Sequence, residues 1–290
     1  REVPVTNMQQ SLAGRIAGLV VTQSDNRPGA QPTVLIRGHR TFNSGGSGND
    51  PLYVIDGIPT TDGLEDINPT DIVSMDVLKD ASATAIYGSR GANGVIIVTT
   101  ARGRHTESGY PEFHYDTYFG SKRVNRYADM FSGPEFVNFV RDAYTETGVY
   151  NPADSAASDA KIFLPGSLED IQNNRYTDWQ KLITRNGFTQ NHELSILGAS
   201  STTRYSVGLG FYNDIGNIRL QDYRRYSLHA SLDQDITKGI KVGLSVLASY
   251  NIQNGASFNP FFGAAVQSPI GLPYDSLGNL VAFPNEDALM

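Results

Sequence analysis

The residues closest to a catalytic pattern are two serines with glycine neighbours, Ser47 in GGSGN and Ser89 in YGSRG. A nucleophile elbow needs glycine two positions before and two after the serine, and neither segment has both. Gly208 and Gly210 begin a dinucleotide-type pattern. Asn213 occupies the third glycine position, and the setting reads as a strand with no helix after it. Five histidines, at 39, 105, 114, 192 and 229, share no ligand spacing and read as ordinary surface or lumen residues. Acidic residues form no calcium loop, and without cysteine there is no disulfide or thiolate site. The expectation is therefore no catalytic residue, no metal and no cofactor. What remains is hydrogen bonding and charge pairing.

Two groups could do that work. The loop GHRTFNSGGSGND (38–50) is too polar and glycine-rich for a core, and His39, Arg40, Asn43, Asn49 and Asp50 are its candidate ligand-binding side chains. A flexible connector is the plainer reading of the same loop. The second group is Arg37, Asp56, Lys79 and Arg90, charged residues at expected strand or helix ends, three of them next to a glycine.

The elements that must position them fall into two halves. In residues 1–104, Asn7 is expected to cap a helix reaching about Gly18, with Met8, Leu12, Ile16 and Leu19 on one face. Short strands are expected at 19–22, 33–37 and 52–56. Asn68, Pro69 and Asp71 have the pattern of a helix start. The alternation in VSMDVL places Val73, Met75 and Val77 on one side. Asp80 is expected to cap a short helix of small residues, with Gly88 after Tyr87 as its left-handed end. Asn93-Gly94 turns the chain into the apolar run 95–98, the best buried-strand candidate.

Beyond about Gly109 the grammar changes. Segments 112–120, 188–198, 204–213, 225–235 and 241–251 alternate apolar and polar residues over about 10 positions, the length of a tilted membrane-spanning strand. In the fourth, Tyr226, Leu228, Ala230 and Leu232 oppose Ser227, His229, Ser231 and Asp233. A water-soluble antiparallel sheet with one buried face shares this alternation, so both readings stay open here. Connections are tight at 199–203 and 236–240, longer at 214–224 and far longer at 121–187, an asymmetry that suits an outer-membrane barrel. Tyr205, Phe211, Tyr226 and Tyr250 suit interfacial aromatic belts or an ordinary sheet equally.

Composition narrows the classes. The 18% of charged residues lies below the ~25% usual for soluble domains. Net charge is −7, and residues 1–104 carry nine Lys/Arg against ten Asp/Glu, so no basic stripe offers itself to nucleic acid. No apolar stretch is long enough for a transmembrane helix, which says nothing of a barrel. REVPVTNMQQ has no apolar core of signal-peptide length.

Several ordered motifs together resemble the plug of SusC/RagA-type TonB-dependent transporters: SLAGRIAGLVV (11–21), VLIRG (34–38), PLYVIDGIP (51–59), INPTDIVSMDVLKDASATAIYGSRGANGVIIVTT (67–100) and ARG (101–103). The later strands resemble that family's first strands more loosely. The resemblance implies an α+β plug domain (1–108) followed by antiparallel transmembrane β-barrel strands (109–290), about five of some 22, with a long loop at 121–187. It implies the outer membrane of a Gram-negative bacterium and contact with its lipid. It further implies a SusD-like surface lipoprotein, the TonB–ExbB–ExbD energy-coupling complex, and import of a glycan or peptide. The sequence begins at the plug and stops before a barrel could close, so a chain several times longer is expected. Arg37, Gly38, Asp56, Gly57, Lys79, Asp80, Tyr87, Gly88, Arg90, Gly91 and Gly94 then become candidates for plug architecture or plug–barrel contact. The alternatives are a signalling receptor of the same architecture and a soluble β-rich binding or adhesion module.

Overall fold

In the computed structural model, residues 8–23, 25–38, 47–60, 63–64, 67–103, 110–255, 260–275 and 277–281 are described. They form two compact units. One holds residues 1–122, 187–216 and 220–255, and the other holds 123–186, 217–219 and 256–290.

In the first unit the apolar run near residue 95 becomes β6 (Val95–Thr100), one of the two inner strands of a four-stranded sheet. It pairs in parallel with β3 (Leu52–Ile55) and antiparallel with β5 (Ile72–Leu78), and β4 (Ile58–Thr60) completes the order β4-β3-β6-β5. The period of two sends Tyr53, Ile96 and Val98 to one face, where Leu12, Leu19, Val34, Ile36, Leu64 and Ile67 cover them. Leu52, Val54 and Val95 face the other way, against Leu78, Tyr87 and Ile97. Alongside stands the hairpin of β1 (Leu19–Thr22) and β2 (Thr33–Ile36). The turn into β6 requires Gly94: its φ is 95°, and an added Cβ would lie 2.6 Å from the Ile36 side chain.

Three local expectations need correction. Helix α1 spans only Met8–Ser11, because Gly14 and Gly18 both take positive φ and turn the chain away from helix. Leu12 and Leu19 are buried all the same. Val73 is 69% exposed, since an irregularity between Ile72 and Ser74 breaks the alternation and leaves Ile72, Met75 and Val77 toward the core. Asn68 and Asp80 make no side-chain cap bond, and the segment after Asn68 is a three-residue 3-10 turn. The β3–β4 hairpin has no counterpart among the expected strands. It turns on Asp56 and Gly57, with φ of 50° and 90°, the two positive values a tight two-residue turn needs.

The five alternating segments all form strands: β7 (Glu112–Lys122), β8 (Gly187–Ala199), β9 (Thr203–Ile215), β10 (Asp222–Thr237) and β11 (Ile240–Asn254). They pair antiparallel in sequence order as a meander. Both tight turns lie at one end of this wall, and both longer connections leave from the other. Tyr115, Leu194, Leu209, Leu228 and Ala248 make one continuous cross-strand row, and His192, Phe211, Tyr226 and Tyr250 lie in the next. Rings touch along that second row, with 6.1 Å between His192 and Phe211 and 5.3 Å between Phe211 and Tyr226.

The wall is amphipathic in the sense opposite to a water-soluble sheet. Phe113, Tyr115, Leu209, Leu228, Leu232, Val242 and Leu244 are exposed, while Thr189, Asn191, Glu193, Ser206, Arg225, His229 and Ser231 are buried. An apolar face left open and a polar face covered suits lipid outside and a hydrated interior. The fold is an α+β plug-type unit with antiparallel wall strands.

The second unit contains helices α3 (Gly133–Glu146), α4 (Ser155–Ile162), α5 (Pro165–Gln172), α6 (Trp179–Ile183) and α7 (Pro260–Val266), following α2 (Ala81–Thr84) of the first. Ser132 and Glu135 start α3 as a capping box, and Val137, Phe163 and Ile270 form the core. Arg141 and Asp159 pair at 2.6 Å, and the Trp179 indole donates to the Ser268 carbonyl at 2.8 Å.

Candidate functional site

Of the polar loop singled out for ligand contact, His39, Arg40 and Asn43 lie outside the described residues. Asn49 is buried at the end of a 3-10 turn, and the Asn93 amide donates to the carbonyls of Gly48 and Asp50. The C-terminal end of that loop is thereby fixed to the turn that launches β6.

Three of the four charged candidates find partners inside the N-terminal region. Arg37, at φ 61°, pairs with Asp80 at 2.7 Å on the surface. Lys79 donates to the Ala17 carbonyl at 2.6 Å. Asp56 accepts from the Thr100 backbone N–H at 3.0 Å and from its hydroxyl. Tyr87 packs on the Leu52–Val54–Val95 cluster, and Arg90 is exposed. Gly88 takes φ 59° and ψ −145°, a glycine-only conformation in place of the left-handed helical end expected there. Gly91 is buried, and a Cβ there would meet the Thr84 carbonyl at 2.9 Å. Gly38 and Gly57 follow Arg37 and Asp56 with positive φ of their own.

Contacts to the wall come mostly from residues that lie within the motifs but were not among the candidate contact residues. His229 is buried, with Nε2 3.2 Å from the Thr100 hydroxyl and Nδ1 4.0 Å from the Asp71 carboxylate. Asp71 closes a 3-10 turn (Pro69–Asp71), and Thr100 ends β6, so two rigid elements aim at one wall residue. Ser206 donates to the Ala101 carbonyl at 2.9 Å and shares a 3.0 Å hydrogen bond with Ser231. Arg102 reaches Asp233 at 3.4 Å. Gly103 lies so close to the wall that a Cβ would fall 2.3 Å from the Tyr205 nitrogen and 2.4 Å from the Gly198 carbonyl. Gly208 clears space for Asp71 in the same way, with 2.9 Å to its carboxylate.

Acid, imidazole and hydroxyl in a row invite comparison with a nucleophilic triad. The geometry denies it: Thr100 gives its proton to Asp56, not to His229. Burial raises the Asp71 carboxyl above its usual range, while the charges of His229 and Arg225 pull it down. This arrangement holds charge and protons without activating a nucleophile. Among the described residues no three His, Asp or Glu gather as a metal site.

A second polar contact lies toward the long-loop end. Gly29 fits against the Tyr223 ring, and the Gln253 amide donates to the Pro28 carbonyl at 3.0 Å. Beside it is a cleft of about 170 Å³ whose lining includes Gln10, Gln23, Asn26, Gln31, Tyr212 and Tyr223. Sequence spacing gave no signal for either contact, because the partners come together only through the wall.

Known proteins agree with this geometry. Residues 1–95 match the TonB-dependent Receptor Plug Domain family. The chain is 37% identical over 256 residues to TonB-dependent receptor P3 of Formosa agariphila, which covers 88% of this chain and 22% of that relative. It is 36% identical over 235 residues to TonB-dependent receptor SusC of Bacteroides thetaiotaomicron, covering 78% of this chain and 21% of the relative. A solved RagAB peptide transporter superposes with a TM-score of 0.79 at 27% identity, over 97% of this chain and 33% of that one. The RagAB peptide importer in its closed-closed state gives 0.78 at 26%, with the same coverage. The chain thus spans about a fifth of those curated relatives and a third of the solved chains.

Proposed function

We propose, from the premise that this chain belongs to the SusC/RagA-type TonB-dependent receptors, that it serves plug-gated import of a bulky nutrient across the outer membrane of a Gram-negative bacterium. The observation that carries the reading is the inverted wall, apolar outward and polar toward the plug. We assign residues 1–108 to the plug and 109–290 to the N-terminal part of the barrel, with residues 121–187 as a long loop.

The proposed cycle has no covalent chemistry. Substrate is captured at the long-loop end, a pull from TonB–ExbB–ExbD remodels the plug, and a path opens along the polar face. A SusD-like surface lipoprotein is the proposed capture partner. The RagAB structures are of a peptide importer. For this chain we favour an oligosaccharide, because four side-chain amides and two tyrosines line the cleft beside Gly29, alongside Arg27, Lys122, Asp214 and Arg225, all groups that hydrogen-bond hydroxyls. Amides both donate and accept, as sugar hydroxyls do. Substrate contact by His39, Arg40, Asn43, Asn49 and Asp50 remains part of the proposal.

The test is growth of a strain lacking the full-length gene on defined oligosaccharides and on defined peptides. Loss of growth on one oligosaccharide class, restored by the gene, supports the reading. Loss confined to peptides would move the substrate class, and unchanged uptake of both would overturn the import function.

A further inference from the structure

The hydroxyl of Thr100 has one proton, and it is given to Asp56. Toward His229 that oxygen therefore acts as an acceptor, and Nε2, at 3.2 Å, must carry the hydrogen. A neutral imidazole with its hydrogen on Nε2 leaves Nδ1 bare, and Nδ1 faces the Asp71 carboxylate at 4.0 Å. Lone pairs would then oppose one another where both side chains are less than a tenth exposed. A proton between them removes the conflict, either as imidazolium beside carboxylate or as imidazole beside carboxylic acid.

We propose that Asp71 and His229 share one proton, that with Thr100 they latch the plug to strand β10, and that removing this proton loosens the plug. Burial of the Asp71 carboxyl points the same way, since the docked plug then holds a proton more tightly than the released one. The sign follows. Docking is strongest while the pair is protonated and weakens as pH rises toward and through the docked-state value. The proton belongs to the pair, so its loss is one macroscopic step.

Other charges surround the pair. Arg225 on β10 acts on Asp71, and Asp56 reaches His229 through the Thr100 hydroxyl. His114 and Asp116 of β7, Glu193 of β8 and Arg102 line the cleft that Asp71 and His229 share. Asp233, on β10, is paired with Arg102. These groups are the same in the wild type and the variants, so the test varies the pair alone.

The latch rests on the reading that the N-terminal unit plugs the wall, although its test does not need the substrate. The full-length receptor is placed in planar lipid bilayers, and channel-opening frequency is recorded from about pH 3 to pH 9, across the ordinary carboxylate and imidazole ranges. The wild type should open more often at the alkaline end, by about tenfold for each unit by which docking displaces the pair's apparent pKa. Asp71→Asn supplies an amide hydrogen to Nδ1 at every pH and should flatten that step while openings stay rare. Asp71→Leu supplies none and should open often throughout. His229→Gln, which cannot titrate, gives an independent flat profile should Asp71→Asn fail to show the heat-modifiable mobility of a folded barrel. A flat wild-type profile overturns the proposal, as does the wild-type step persisting in Asp71→Asn or His229→Gln. Failure of the growth test with an intact step would remove the import reading and leave the latch standing.

Discussion

Leu228 and His229 are neighbours in the chain, yet Leu228 is 37% exposed and His229 only 2%. One strand therefore presents its apolar residue to the surroundings and buries its imidazole against the plug. A water-soluble sheet would do the reverse, and most of the functional reading follows from this inversion.

A charge on the outward face should be costly only in lipid. Leu209→Arg and Leu228→Arg should each destabilise the full-length barrel in bilayers by about 2–4 kcal/mol if they lie near the midplane. Denaturant titration in lipid vesicles measures this. A change within about 0.5 kcal/mol, usual for a water-facing surface, would count against a lipid-facing row.

Gly103→Val should disturb plug docking without touching the plug's own core. Its new side chain would meet the backbone of Tyr205 and the Gly198 carbonyl, atoms that cannot rotate away. Overpacking of this kind costs about 1–3 kcal/mol. Protease sensitivity of the plug in the intact receptor should rise while the barrel stays folded.

Gly94→Ala tests a different weakness, inside the plug. The positive φ and the nearby Ile36 side chain both oppose a Cβ, so a loss of about 1–3 kcal/mol is expected. Hydrogen exchange of β6 in the full-length protein should accelerate accordingly.

Arg37→Ala should matter little. Its partner Asp80 is largely exposed and the pair sits in water, where such bridges contribute about 0–1 kcal/mol. Thermal unfolding at low and high salt should show a small loss that salt erases.

The wall strands were legible because one buried and one open face impose a period of two, whichever side faces water. Alternation alone could not say which face is wet, and the exposed Leu228 beside buried His229 decides it. Tight turns also showed in the sequence where glycine was required, as at Gly94. Asp56-Gly57 carried the same kind of signal, but the strand reading ran through Asp56 and lost β4. Val73 went to the wrong face because an irregularity between strands leaves no mark in a hydrophobic pattern. The plug–wall contacts lay furthest out of reach. Thr100 and His229 are 129 residues apart, and an isolated histidine in an alternating strand looks like any other interior polar residue.

The central claim is that the apolar face of the wall meets lipid, and cysteine scanning tests it most directly: these 290 residues contain no cysteine, and any elsewhere in the full-length receptor would first be replaced by serine. Single cysteines at positions 227 to 232 of β10, each in the full-length receptor in native membranes, would be exposed to a membrane-impermeant maleimide. Each would also carry a fluorophore quenched from the lipid phase. The account predicts lipid quenching and no maleimide reaction at 228, 230 and 232, and no lipid quenching at 227, 229 and 231. Free maleimide reaction at 228, 230 and 232 with no lipid quenching anywhere would contradict it.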